Sequence, residues 1–388
     1  MANSQSNPSS SNQTPSKPPT KHSSIKGWIA LGCCVVVLCV CVMMYLQAPK
    51  KAGTETMTRT ITLTDVGFDT PVTFKTTCSE NEFNEYVKII SDTFNECKEL
   101  FDGFNEYDNE NSLLTINQAG VNVPITVDEK FFDIWTPAQR AHALNSKFDV
   151  AQGKLTFLWK EAFEAETPAL PSDAEIQASL NPDSMGAVEV NKNEKTVTLL
   201  NDQVALDFGA IAKGYTSQLA ANRLQEAGLQ WGFLNAGGNV VLIGEKPDGE
   251  PWKVGIQNPD SAYSLLMYET KKPTSLVTSG DYQRYMVVDG KRYAHIIDPT
   301  TGYPAAWMRS VTVIHDDSAY CDAMSTALFC MSIKEGMSLC ESIGLDAIWI
   351  ADVHEDDLPD EEPFLKPRGF YVYVTSGLKD SVTLKQDS

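Results

Sequence analysis

The hydrophobic and polar positions of the chain fall into three regimes. Residues 1–26 are mostly Ser, Asn, Pro and Lys with almost nothing to bury, which predicts a disordered tail. Residues 27–46 then run without a single charge. As a helix rising ~1.5 Å per residue, that run spans ~30 Å, the hydrocarbon thickness of a bilayer, so a transmembrane anchor is expected over 27–48. A cleaved signal peptide would have a shorter apolar region and a small-x-small site, and no good one precedes Pro49. A lipoprotein signal ending at Cys33 would put the cysteine too early in the run.

From residue 49 onward the pattern is that of a folded domain. Alternation in T-R-T-I-T-L-T (58–64) and T-P-V-T-F-K-T-T (70–77) predicts two strands. Between 81 and 103, Phe83, Tyr86, Val87, Ile90, Phe94, Cys97, Leu100 and Phe101 follow helical spacing, an amphipathic helix. Further helices are predicted over 128–144, 210–227, 319–331 and 334–343. A hairpin is predicted within 186–206, with strands at 187–190 and 196–200, and further strands at 252–257, 264–269, 285–288, 310–314 and 370–375. Strands and helices interleave without a strict β-α-β rhythm, so the expected class is α+β. Residues 352–368 read as an exposed acidic insertion, and there is no internal repeat.

Charge and cysteines narrow the picture. The formal charge is −20, yet residues 1–51 hold five Lys and no carboxylate side chain, which leaves −25 on the rest. So acidic a domain repels phosphate backbones, and nonspecific nucleic-acid binding is excluded. Four of the nine Cys lie in the apolar run. The others, Cys78, Cys97, Cys321, Cys330 and Cys340, form no C-x-x-C pair and no zinc spacing, so they support no disulfide framework.

Four segments are richer in Gly and polar residues than a core element needs. In L-D-F-G-A-I-A-K-G-Y (206–215) a strand end passes through glycine into a helix, a junction that points N–H groups at an anion, with Lys213 suited to phosphate. It is not a Walker loop, and such a helix start also occurs for purely structural reasons. L-N-A-G-G-N (234–239) allows either close backbone approach to a ligand or a tight bend. Residues 278–304 place an Asp289-Gly290 hairpin turn before H-I-I-D-P-T-T-G-Y-P, and His295 is the one His set among such polar neighbours. In C-D-A-M-S-T-A-L (321–328), Asp322 and Thr326 share a helix face, an oxygen pair suited to a hard cation such as Mg²⁺. Thr326 bonding back to the carbonyl of residue 322 would explain the same spacing.

In order and spacing these segments resemble the ApbE family of flavin transferases. The resemblance runs from about 68 to 350 and includes F-D-T-P-V (68–72), Y-D-N-E-N-S-L-L-T-I-N (107–117), K-F-D-V (147–150) and T-S-G-D-Y (278–282). It implies an ApbE-like α+β fold of mixed sheets and flanking helices, preceded by one transmembrane helix. It also implies Mg²⁺-dependent transfer of FMN from FAD to a Thr or Ser hydroxyl of an acceptor flavoprotein, with release of AMP. Family members work outside the cytoplasmic membrane, on subunits of quinone reductases, Rnf-type complexes and related electron carriers. That settles an orientation which the flanking lysines leave open: tail 1–26 cytoplasmic, catalytic domain 49–388 extracytoplasmic.

By the same resemblance the metal is held by Asp322, Thr326, Ser325 and the carbonyl of Ala210. His295 handles the hydroxyl proton, with Asp298 orienting it. Phe68, Tyr107, Phe148, Asp149, Asp207, Lys213 and Ile296 bind FAD. Two departures touch the flavin side: Val150-Ala151-Gln152-Gly153-Lys154 stands where the family often has Pro-Thr-Val-Gly-Pro, and Asn111 stands in place of a usual Ser. The alternatives are an FAD pyrophosphatase, with water as acceptor, and a flavin-binding protein without turnover.

Overall fold

A capping box starts the first long helix: Ser79 accepts from the Glu82 N–H while the Glu82 carboxylate accepts from Ser79. It lies in a computed structural model that describes residues 55–68, 70–107, 111–182, 184–352, 359 and 362–385. The predicted tail and anchor lie outside the described residues, as does much of the acidic insertion. Among the described residues no helix is long and apolar enough to cross a membrane.

The described residues open with strands β1 (Met57–Leu63) and β2 (Val72–Cys78), then helices α1 (Glu80–Phe101) and α2 (Leu113–Gln118). The short strand β3 (Ile125–Thr126) leads to helices α3 (Glu129–Leu144), α4 (Gly153–Glu164) and α5 (Asp173–Ser179). Strands β4 (Val188–Asn191) and β5 (Thr196–Leu199) precede α6 (Ala212–Glu226). A run of strands follows: β6 (Gly232–Ala236), β7 (Asn239–Ile243), β8 (Trp252–Gln257), β9 (Ser264–Thr270), β10 (Thr274–Gly280), β11 (Tyr285–Val288), β12 (Lys291–Ala294) and β13 (Ser310–His315). Helices α7 (Ser318–Phe329) and α8 (Ile333–Ile343) and strands β14 (Asp346–Asp352), β15 (Phe370–Val374) and β16 (Val382–Leu384) complete it.

Eight strands form one antiparallel sheet in the order β1-β2-β6-β7-β10-β13-β14-β15. Alternate residues divide between its faces. Val277, Val311, Val313, Ala347 and Trp349 pack with α7 on one side. Leu276, Ile314, Ile348 and Val372 pack with Trp252, Val254 and Leu266 of the small β16-β9-β8 sheet on the other. The architecture is α+β, as the interleaved elements predict. Every residue of α7 but Thr326 is buried, so this helix is a central rod of the core.

Candidate active site

The site is built where α6 crosses α7, and Gly214 permits the crossing. A Cβ there would lie 2.3 Å from the Ser318 carbonyl oxygen and 2.5 Å from the Asp322 Cβ. The bare backbone lets the Gly214 N–H donate to Asp322 Oδ2 at 2.8 Å, while Asn239 Nδ2 donates to the same oxygen at 3.0 Å. Asp322 is 4% exposed. Burial raises its pKa, against the Lys213 cation and these two donors. Its other oxygen, Oδ1, has no hydrogen-bond partner among the described residues.

Two further oxygens are left over beside it. Because the Gly214 N–H turns to Asp322, it does not close a helical bond onto the Ala210 carbonyl, which accepts no hydrogen bond among the described residues. The Thr326 hydroxyl is also unpartnered there, on the one residue of α7 that is not buried. The back-bond to the carbonyl of residue 322 that would explain its spacing is made by Ser325 instead, at 3.0 Å. Ser325 also meets the Ser279 hydroxyl at 2.9 Å. Its hydroxyl therefore ties α7 to β10, and the free donors are Asp322, Thr326 and Ala210. Among the described residues no three His, Cys, Asp or Glu side chains converge on a metal position. A set of one carboxylate, one hydroxyl and one carbonyl nevertheless suits a hard cation, which would relieve the buried charge of Asp322.

His295 follows β12 directly. Its backbone N–H and its ring Nδ1 both approach the Arg284 carbonyl, at 3.2 and 3.0 Å. A carbonyl only accepts, so Nδ1 carries the proton and Nε2 presents a lone pair. The ring's pKa is held down to about 4, by desolvation first and by the Lys213 and Arg284 cations, against the Arg284 carbonyl. Water at its exposed edge softens the burial contribution, but both cations push the same way. The ring is therefore a neutral base at neutral pH.

Asp298 does not orient this ring, which corrects the expectation. Its Oδ2 pairs with Lys147 Nζ at 2.5 Å, and its Oδ1 accepts from the Thr300 N–H and hydroxyl at 2.9 and 2.8 Å. Its backbone carbonyl accepts from Gly302 at 2.8 Å. Asp298 thus braces the D-P-T-T-G-Y loop, and Nδ1 of His295, already satisfied by a carbonyl, has no proton to offer it. Ile296 is buried in the core, its carbonyl accepting from Ala305 at 2.9 Å.

The remaining predicted residues have partners of their own. A Cβ on Gly237 would meet Thr70 Oγ1 at 2.0 Å, so the loop after Phe68 touches the paired glycines. A Cβ on Gly238 would meet Gln283 Nε2 at 3.3 Å, one residue from Arg284. Asp207 Oδ1 caps the Gly209 N–H at 2.8 Å, and its own N–H bonds to Val150 at 2.8 Å. Asp149 is bonded to the Ser184 hydroxyl and the Ala151 N–H, and burial raises its pKa against those donors. Phe148 is 1% exposed and belongs to the main core. The Tyr107 hydroxyl donates to Asp102 at 2.7 Å.

Sequence reasoning missed three positioning groups. Asn239, the final residue of L-N-A-G-G-N, reaches Asp322. Asn117 clamps Leu206 through both its amide atoms, at 2.7 and 2.9 Å. Arg284 acts through its carbonyl, for which no side-chain signal exists. The two asparagines were visible as the polar ends of apolar runs.

A profile of the ApbE family matches residues 68–349. A Klebsiella pneumoniae protein named FAD:protein FMN transferase is 34% identical over 245 residues, 62% of this chain and 75% of the relative. A Vibrio cholerae protein of the same name is 31% identical over 288 residues, 73% and 81%. Among solved structures, the ApbE protein of Thermotoga maritima superposes with a TM-score of 0.68 at 30% identity, covering 75% of this chain and 94% of that one. The flavin transferase ApbE from Vibrio cholerae superposes with a TM-score of 0.68 at 25% identity, covering 84% and 100%.

Proposed function

The chain belongs to the ApbE family, and on that premise we propose that it is an FAD:protein FMN transferase, an enzyme of post-translational flavinylation. The observation that carries the reading is convergence: Gly214 and Asn239 both donate to one oxygen of Asp322, so three separate sequence segments meet at one buried carboxylate.

In the proposed reaction a Thr or Ser hydroxyl oxygen of the acceptor bonds to the FMN-side phosphorus of FAD. The bond from that phosphorus to the bridging oxygen breaks, and AMP leaves with that oxygen. The hydroxyl proton passes to His295 Nε2, whose lone pair the Arg284 carbonyl keeps directed outward by holding Nδ1 protonated. Lys213 faces the pyrophosphate with a fixed positive charge. The Asp322 carboxylate, the Thr326 hydroxyl and the Ala210 carbonyl would hold Mg²⁺. When bound, that ion supplies neutralisation of the pyrophosphate charge. Asp298 with Lys147 keeps the loop after His295 in place, and Asp207 with Asp149 shapes the flavin wall.

The uncharged run at 27–46 supports a single-pass anchor, and the family resemblance, rather than the flanking charges, puts the catalytic domain on the extracytoplasmic side. The acceptor is then a flavoprotein of a membrane or extracytoplasmic electron-transfer system. Incubation of the full chain with FAD, Mg²⁺ and an unflavinylated quinone-reductase subunit tests the reading by intact mass. The expected product is acceptor carrying one FMN less a water, with AMP released in equal amount. Free FMN and unmodified acceptor would make the protein a pyrophosphatase instead.

A further inference from the structure

The hairpin of β11 and β12 ends at His295 and is not used by the mechanism above. Its turn, Asp289-Gly290, has both φ values positive, 51° and 76°, the geometry of a two-residue hairpin loop. One face of the hairpin is anchored: Met286 lies in a cluster with Leu155, Trp159 and Ile176. The opposite face carries Tyr285 and Val287, which are 46% and 51% exposed, with Arg292 directly across from Val287. The Arg292 guanidinium lies 4.4 Å from the centre of the Tyr285 ring. Apart from the Arg292 contact on Tyr285, these two exposed side chains on one face of a strand beside a catalytic base pack against nothing inward, and they offer an apolar contact to a partner.

Charge points to the occupant. Residues 281–292 carry Arg284, Lys291 and Arg292 against Asp281 and Asp289, and Arg292 reaches Asp281 at 3.4 Å, so the hairpin keeps an excess of one positive charge in a chain whose net charge is −20. A second copy of so acidic a chain would meet general repulsion, whereas a partner with carboxylates around an apolar contact is attracted here. The Arg284 carbonyl, which accepts from the backbone N–H and from Nδ1 of His295, immediately precedes Tyr285. A protein seated on this face therefore has its nearest loop beside Nε2.

We propose that the outer face of the β11–β12 hairpin is the docking surface for the acceptor protein, which offers an apolar side chain ringed by carboxylates. The proposal rests on the transferase reading. Its test uses the full chain, FAD and Mg²⁺, with the unflavinylated quinone-reductase subunit as acceptor, and compares wild type with Tyr285→Ser/Val287→Ser and with Lys291→Glu. Both variants should raise the acceptor KM about 10-fold while kcat and FAD affinity stay within about twofold, as expected for loss of contacts made equally before and during reaction. The wild-type KM should also rise with salt, and Lys291→Glu should flatten that slope. FAD affinity doubles as the check that each variant is folded. An unchanged KM in both variants overturns the docking surface while leaving the transferase reading intact. A dimer that becomes monomeric in the variants, with KM unchanged, makes the face a self-interface and equally overturns it. Absence of covalent FMN with the wild-type chain instead overturns the transferase reading itself.

Discussion

Replacing Gly214 by alanine separates what a helix prefers from what this site requires. On propensity alone the change should stabilise α6 by about 1 kcal/mol, because glycine is a poor helix former. The structure predicts otherwise. The new Cβ would stand 2.3 Å from the Ser318 carbonyl oxygen and 2.5 Å from the Asp322 Cβ, both fixed parts of the buried helix α7. Ordinary contact begins near 3.4 Å, so α6 and α7 must part by about 1 Å. Overpacking of this kind costs about 1–3 kcal/mol, which leaves a net loss of roughly 0–2 kcal/mol after the propensity gain. The functional effect should be larger. The same movement stretches the 2.8 Å bond from Gly214 to Asp322 and displaces Lys213. A misplacement of about 1 Å is enough to cost ~10²-fold in rate. Single-turnover transfer, measured with thermal unfolding on the same preparations, should therefore show a collapse in rate with a melting temperature lowered by only a few degrees. A variant that melts higher than wild type and transfers FMN at the wild-type rate would refute the account of this helix crossing.

Three other outcomes follow from the site. Asp322→Asn should abolish transfer and also the stabilisation that Mg²⁺ gives the wild type, about 2.7 kcal/mol at a hundredfold excess over Kd and read as a higher melting temperature; equal Mg²⁺ stabilisation of both proteins would remove Asp322 from the metal site. His295→Ala should lower the transfer rate ~10²–10⁴-fold with little change in FAD affinity. Because desolvation and two cations depress the His295 pKa below its ordinary value of 6.5, the wild-type rate should hold as pH falls through 6.5 and decline only in more acid solution; a fall centred on 6.5 would contradict the site's electrostatics. The full-length protein should stay with membranes through an alkaline wash, and recovery of a mature chain starting near Pro49 would rule out the retained anchor.

Much of the fold was legible in residue order because local geometry repeats at fixed intervals. The spacing of Phe83, Tyr86, Ile90, Phe94 and Cys97 predicts α1 within two residues at each end, and Asp289-Gly290 marks its hairpin. The missed elements lacked that signal. Strands β7 and β14 are almost wholly buried, so both faces are apolar and the period of two disappears. Helix α4 begins at Gly153 with no side-chain cap. In the site, the residues of the four polar segments were visible as candidates, since glycine pairs and polar side chains at strand ends serve few purposes in a core.

What only the tertiary structure decided is who meets whom. Asp322 takes its donors from residues 214 and 239, which α6 and the sheet order bring to it. Asp298 pairs with Lys147 across the fold, and His295 is held by a main-chain carbonyl rather than by the carboxylate three residues on. Sequence spacing determines which side chains share a face, because rise and turn per residue are properties of the local backbone. Which face then meets which depends on strand order and helix crossing, and those are settled by burial of the whole chain at once.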